Sequence, residues 1–220
     1  MNKPSHMPDD YLVLAKERAT ASYPPYKQPE DFGYDFREWV SPYTKGANHL
    51  GGIALVLQDW ASEKGLVGSP DPEIRVHGRK PGRRTNKNLE CLLERLFNLS
   101  LADVYVTNAF PFIKPGSMSG PIPKSDVIAM AARFLHRELN IVKPVAVLAL
   151  GAVSNAALQH VGISCIKVPH PAARIGDINA HVRVWRKVIA EHTAFDGSKW
   201  PPAAPGRTAF TFCVIGGCAE

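Results

Sequence analysis

Residues 52–58 read GIALVLQ, and Asp59 follows. A near-continuous apolar run of this length suits a strand buried on both faces; a strand with one wet face would alternate polar and apolar residues. Two further runs have the same character, VYVT at 104–107 and VAVLAL at 145–150, and a shorter one, CIKV, lies at 165–168. Between them the apolar period changes to that of helices. Residues 86–99 carry Leu89, Leu92, Leu93 and Leu96 on one stripe. Ser125 is expected to cap a helix reaching Leu139, another follows Gly151 to Gln159, and a last one runs from Asp177 to His192 with Val182, Trp185, Val188 and Ile189 inward. Strands alternating with helices imply parallel pairing through right-handed crossovers. The expected fold is α/β, a three-layer α/β/α sandwich with a central four-stranded parallel sheet.

The rest of the 220 residues is arranged around that core. Residues 9–21 read as a helix opened by acids, and 22–50, rich in Pro, Gly and aromatics, as a wrap. The expectation is a single domain over 1–220: N-terminal helix and wrap at 1–50, core at 50–192, and a tail at 200–220 with no assigned role. No run approaches the ~18 apolar residues of a membrane span. The N-terminus has no apolar signal region, so a cytoplasmic monomer is expected. The four cysteines form no CxxC pair, which argues against a zinc ribbon or an iron–sulfur cluster. No metal and no cofactor are expected. The formal charge is +6, compatible with a polyanionic partner. Residues 75–87, RVHGRKPGRRTNK, hold six basic residues and no acid, and Pro81-Gly82 reads as a loop.

In an open α/β sheet, ligands sit beyond the carboxyl ends of the strands. The residues there are Gln58-Asp59-Trp60-Ala61, then Asn108-Ala109-Phe110, then Gly151, then His170-Pro171-Ala172-Ala173-Arg174. Each has a plainer reading taken singly: Asp59 as a loop cap, Asn108 as a turn residue, His170 as a packed loop histidine. Together, a carboxylate, a carboxamide and an imidazole converge on one rim.

In that order, GIALVLQDWA, VYVTNAFPF, VLALG and VPHPAAR resemble the uracil-DNA glycosylase superfamily over about residues 50–190. Gln58-Asp59 is similar to the Gln-Asp of its first motif, Asn108 to the Asn after its second strand, and His170-Pro171-Ala172 to its His-Pro-Ser/Ala turn. The resemblance implies hydrolysis of uracil from DNA, leaving an abasic site. Asp59 would stabilise an oxocarbenium-like sugar and position water, and His170 would donate to the leaving base. Asn108 would pair with uracil O4 and N3–H, a pattern that cytosine reverses. The base would leave the duplex stack to reach the pocket. Arg79, Lys80, Arg83, Arg84 and Lys87 would hold DNA phosphates, as the family's phosphate-binding loop does.

The chain departs from the familiar branch in three places. Trp60 and Ala61 stand where Pro and a methyl-blocking Tyr are usual, which implies broadened tolerance at the base C5 position. No stacking aromatic is evident; His77 and Phe110 are the candidates. Arg174 stands where a Leu intercalates, and would enter the minor groove or grip a phosphate. The missing CxxC pair separates the chain from the iron–sulfur branches and suggests a cluster-free bacterial class. No lysine is evidently placed for Schiff-base chemistry, so a monofunctional enzyme is expected. The alternative is a non-catalytic nucleic-acid-binding protein of the same fold. A small-molecule hydrolase or nucleotide-binding domain finds no GxSxG or P-loop in support.

Overall fold

The computed structural model describes residues 7–196; the 200–220 tail lies outside them. Four strands form the sheet: β1 (Ile53–Asp59), β2 (Tyr105–Phe110), β3 (Ala146–Leu150) and β4 (Ile166–Val168). All pairs are parallel and the order is β2-β1-β3-β4. The apolar run at 53–57 is fully buried, as a central strand covered on both faces requires. Leu57 is in register with Asn108 and Asp59 with Phe110 on one side, while Ile53 meets Ala146 on the other.

The helices are α1 (Asp9–Thr20), α2 (Pro72–His77), α3 (Arg84–Phe97), α4 (Lys124–Met130), α5 (His136–Val142), α6 (Ala152–His160) and α7 (Ile178–Asp196). A π-helical turn, Ala131–Leu135, joins α4 to α5. Helices α3 and α7 pack together on one face of the sheet; α6 contacts the sheet together with α4 on the other, and α1 lies against α5. This is the expected three-layer sandwich. Leu89, Leu92 and Leu93 form the buried stripe of α3, and Asn98 ends that helix in the left-handed region at φ 53°.

The structure corrects the reading of two stretches. Ser125 does not cap a helix: the helix starts at Lys124 with Pro123 before it, and Ser125 lies in the first turn. The basic stretch 75–87 is a loop only in its middle. Asp71 caps α2 by accepting the Glu73 amide, Pro72 opens it, and Arg75 and His77 lie on its last turn. Arg84 begins α3.

The segment between α1 and β1 contains the 3₁₀ turns Pro29–Phe32 and Pro42–Gly46 and no strand longer than an isolated bridge. Arg18 anchors it. This guanidinium is fully buried, donates to the carbonyls of Phe36 and Trp39, and pairs with Glu30 at 3.3 Å. Thr44 then bonds the Val106 carbonyl at 3.0 Å, fixing the second turn over β2.

Candidate active site

The crossover after β1 runs to β2, whereas the chain after β3 turns the opposite way, to β4. The connections diverge between β1 and β3, and such a switch point leaves a crevice at the strand ends. A cavity of about 390 Å³ lies there. Its walls include Gln58, Asp59 and Trp60 from the end of β1, Gly151 to Ser154 at the start of α6, and His170 after β4.

Asp59 occupies one wall with its side chain 9% exposed. Burial pushes its carboxyl above the usual aspartate value, while Lys114 and the Gln58 side chain pull it back. Lys114 is 3% exposed, and its ammonium lies 3.0 Å from Asp59 Oδ2. It also donates to the Met118 carbonyl at 2.7 Å. A lysine therefore stands beside Asp59, a neighbour that sequence reading did not find. It was hidden because 55 positions separate the two residues. The signal was the parallel pairing itself: beyond Asp59 and Phe110 the chains stay side by side, bridging Ser62 to Lys114.

His170 lines the cavity from a turn tied down at three carbonyls. Trp185 Nε1 donates to the Pro169 carbonyl at 3.0 Å, Asn88 Nδ2 to that of Pro171 at 2.7 Å, and His181 Nε2 to that of Ala173 at 3.1 Å. The Ala172 amide donates to His170 Nδ1 at 3.1 Å. An acceptor Nδ1 carries no proton, so the neutral ring carries its hydrogen on Nε2. Burial, and after it the nearby His181, hold His170 below the usual histidine value. The ring is thus neutral at pH 7 and offers one N–H. Gly151 adjoins it: its φ of +108° favours glycine, while a Cβ there would make only ordinary contact, 3.6 Å, with the His170 Cβ. The first amides of α6 have no partners within their own helix and add positive potential to the same wall.

Other expected residues fall elsewhere. Asn108 is 2% exposed and does not line the cavity. Its Oδ1 accepts from Ser41 Oγ at 2.6 Å, and its Nδ2 is buried without a partner among the described residues. Its register neighbour Leu57 does reach the cavity, so the carboxamide sits one strand behind the wall. Phe110 is a core residue, edge-on to Tyr26 and Phe112. His77 is exposed outside the cavity, and Ala61 is buried beside a smaller crevice. Trp60 lines the cavity but is packed edge-on to Tyr34 and Phe36, with Nε1 bonded to the Gly78 carbonyl at 2.8 Å. The other aromatic on the wall is Tyr43, which sequence reading missed. Its hydroxyl donates to Asn86 Oδ1 at 2.6 Å, and burial pushes its pKa up to about 12. It lies in the irregular segment, where no periodicity marks an inward face.

The basic residues divide. Arg79 is 9% exposed and is held by the His77 carbonyl and Glu90, so it serves the fold rather than a phosphate. Lys80 pairs with Asp71 at 2.7 Å. Arg83 is on the cavity wall, Arg84 and Lys87 are exposed on the first turns of α3, and Arg174 is exposed beyond the His170 turn.

A switch-point cavity with a carboxylate on one wall and a neutral imidazole on another suits hydrolysis of a bond whose halves separate as cation and anion. The model of the uracil DNA glycosylase superfamily matches residues 67–188, more than half of the chain. The chain belongs to the uracil DNA glycosylase superfamily. Among curated proteins no match was found. The family assignment makes the chain a member of a group of DNA-repair glycosylases, with DNA as their partner. The matched span holds Asn108, Lys114 and His170, and Asp59 lies just before it. Among the described residues, no helix is long and apolar enough to cross a membrane.

Proposed function

We propose that this uracil DNA glycosylase superfamily member hydrolyses the N-glycosidic bond of uracil in DNA, without strand cleavage. The observation that carries this reading is the pairing of Asp59 with a proton-bearing His170 Nε2 across one cavity. As the bond to C1′ lengthens, positive charge grows on the sugar and negative charge on the base. Asp59 stabilises the sugar cation and orients the water that adds to C1′. His170 Nε2–H and the first amides of α6 stabilise the uracil anion, which then takes a proton from solvent.

Base choice rests on Asn108. Its Oδ1 is engaged by Ser41, so the unpartnered Nδ2 is the free group, a donor suited to a keto oxygen such as uracil O4. Reaching it requires the Ser41–Tyr43 turn to yield to the entering base. With Ala61 away from the cavity, no tyrosine blocks a C5 substituent from the position after Trp60, so 5-substituted uracils are tolerated. Phosphates are held by Arg83, Arg84, Lys87 and Arg174.

The test uses uracil-containing oligonucleotides, single- and double-stranded, with alkaline cleavage of abasic sites. Wild type is expected to give product and Asp59→Asn to give almost none. A wild-type protein that yields no abasic sites would point to a nucleic-acid binder that has lost the chemistry.

A further inference from the structure

Lys114 does not line the Asp59–His170 cavity, yet it is built into the site from behind. Its backbone is zippered to the segment after Asp59. The Lys114 amide donates to the Ala61 carbonyl at 3.4 Å, and the Glu63 amide donates to the Lys114 carbonyl at 3.0 Å. Its side chain is then directed to Asp59 Oδ2 at 3.0 Å, with the Met118 carbonyl at 2.7 Å as its second acceptor. Both ends of the pair are nearly sealed from solvent, at 3% and 9% exposure. The neighbouring carboxylate, Glu63, is committed to Lys27 at 3.0 Å and to the Gly116 amide. Lys114 therefore has Asp59 as its ion-pair partner among the described residues.

We propose that Lys114 is a positioning residue for the glycosylase reaction: by holding Oδ2 it keeps Asp59 ionised and fixes the orientation of its carboxylate toward the sugar. This rests on the role given to Asp59 above. The ammonium engages Oδ2 and the Gln58 side chain also bonds this carboxylate, so its rotation about the Cβ–Cγ bond is restrained toward C1′ and the water. Burial disfavours the charged form of this carboxyl and raises its pKa, and the Lys114 ammonium acts against that rise, so without Lys114 the proton would be taken up at higher pH. A protonated Asp59 neither stabilises a cation nor orients water as an acceptor. Lys114 itself takes no covalent part: its ammonium is engaged and lies behind the cavity wall.

The other groups around the pair do not supply the same charge. Gln58 is neutral, Arg83 donates to the Gly65 carbonyl at 3.4 Å and is not among the groups that shift Asp59, Tyr43 is held in its neutral form, and His170, held below the usual histidine value, is neutral at pH 7. His170 titrates in wild type and variants alike, so comparison between them isolates Lys114.

The experiment measures single-turnover uracil release against pH for wild type, Lys114→Met, Lys114→Gln and Lys114→Arg. It also follows the Asp59 carboxyl by carbon-13 NMR titration of the same full-length proteins. The Met and Gln variants are expected to lose about tenfold or more of the rate at pH 7, with the acid limb displaced upward by at least about one pH unit. Lys114→Arg should retain the wild-type limb. Adding Lys114→Met to Asp59→Asn should cost nothing further. A loss of equal factor at every pH, an unmoved Asp59 titration, or a Lys114-dependent adduct trapped by borohydride would each overturn the proposal. If wild type releases no uracil, the functional reading fails, and the NMR titration still decides whether Lys114 sets the charge of Asp59.

Discussion

The His170 ring has a defined tautomer because one backbone amide decides it. The Ala172 N–H occupies Nδ1, which leaves Nε2 as the protonated nitrogen. A neutral donor suits a leaving uracil anion, since it needs no proton uptake before the bond breaks. His170→Leu is therefore expected to lower the single-turnover rate by about 10²–10³ at pH 7 while leaving DNA affinity nearly unchanged. Nitrogen-15 NMR of the wild-type ring should report the Nε2–H form at pH 7. A ring found as imidazolium there would remove the basis of the assignment. Gly151, beside this ring, is constrained by its own backbone rather than by space. At φ +108°, Gly151→Ala strains the backbone at the start of α6 and should destabilise the protein by about 1–2 kcal/mol in urea titrations.

At the scale of elements, the start of α3 carries the exposed cations and the carbonyl of Pro171 ties that helix to the His170 turn through Asn88. Replacing Arg83 and Arg84 together with Ala should weaken DNA binding and reduce the slope of log K against log salt by about 2, one unit for each phosphate that is no longer neutralised. An unchanged slope would detach these residues from the DNA. Elements were legible in the sequence where burial is two-sided or striped. The run at 52–58 and the Leu stripe of α3 have one packing solution each, and both strands and helices follow. Helix α2 was not legible, because its buried side chain is Ile74 alone and its neighbours are polar. Its Asp71-Pro72 start was the available signal. In the site, Asp59 and His170 were legible since strand ends at a switch point are fixed by topology. Tyr43 and Lys114 were not. Both reach the cavity region from irregular segments, through contacts across long separations that no local pattern encodes. The sequence pattern puts Asn108 just past a strand ending at Thr107, but β2 continues to Phe110 and Asn108 lies inside it behind Leu57; sequence carries no measure of strand length or side-chain depth.

For the molecule as a whole, a second buried carboxyl sits away from the cavity, where α5 meets β2. Glu138 is fully buried and accepts from Tyr105 at 2.6 Å and Thr107 at 2.9 Å. Burial raises its pKa from 4.5 to about 7, against the lowering effect of those two hydroxyls. The folded pKa exceeds the unfolded one, so the contribution to stability is fully present below the unfolded value. It declines as pH rises, is lost through the folded value, and is flat above it. Across this window the folded chain holds a proton that the unfolded chain has released. The shift corresponds to a loss of up to about 3 kcal/mol between about pH 4.5 and 7.5. Asp59, also raised, adds to the same trend, whereas Glu17, Asp35 and Asp71 are lowered and act in the opposite sense at more acid pH. Subtraction separates them. Glu138→Gln keeps an acceptor oxygen for Tyr105 and cannot ionise. Urea unfolding of wild type and Glu138→Gln should therefore give a free-energy gap that shifts in favour of the variant as pH rises through about 5–8. A gap constant over that range would mean that Glu138 binds the same number of protons folded and unfolded, so that folding does not raise its pKa.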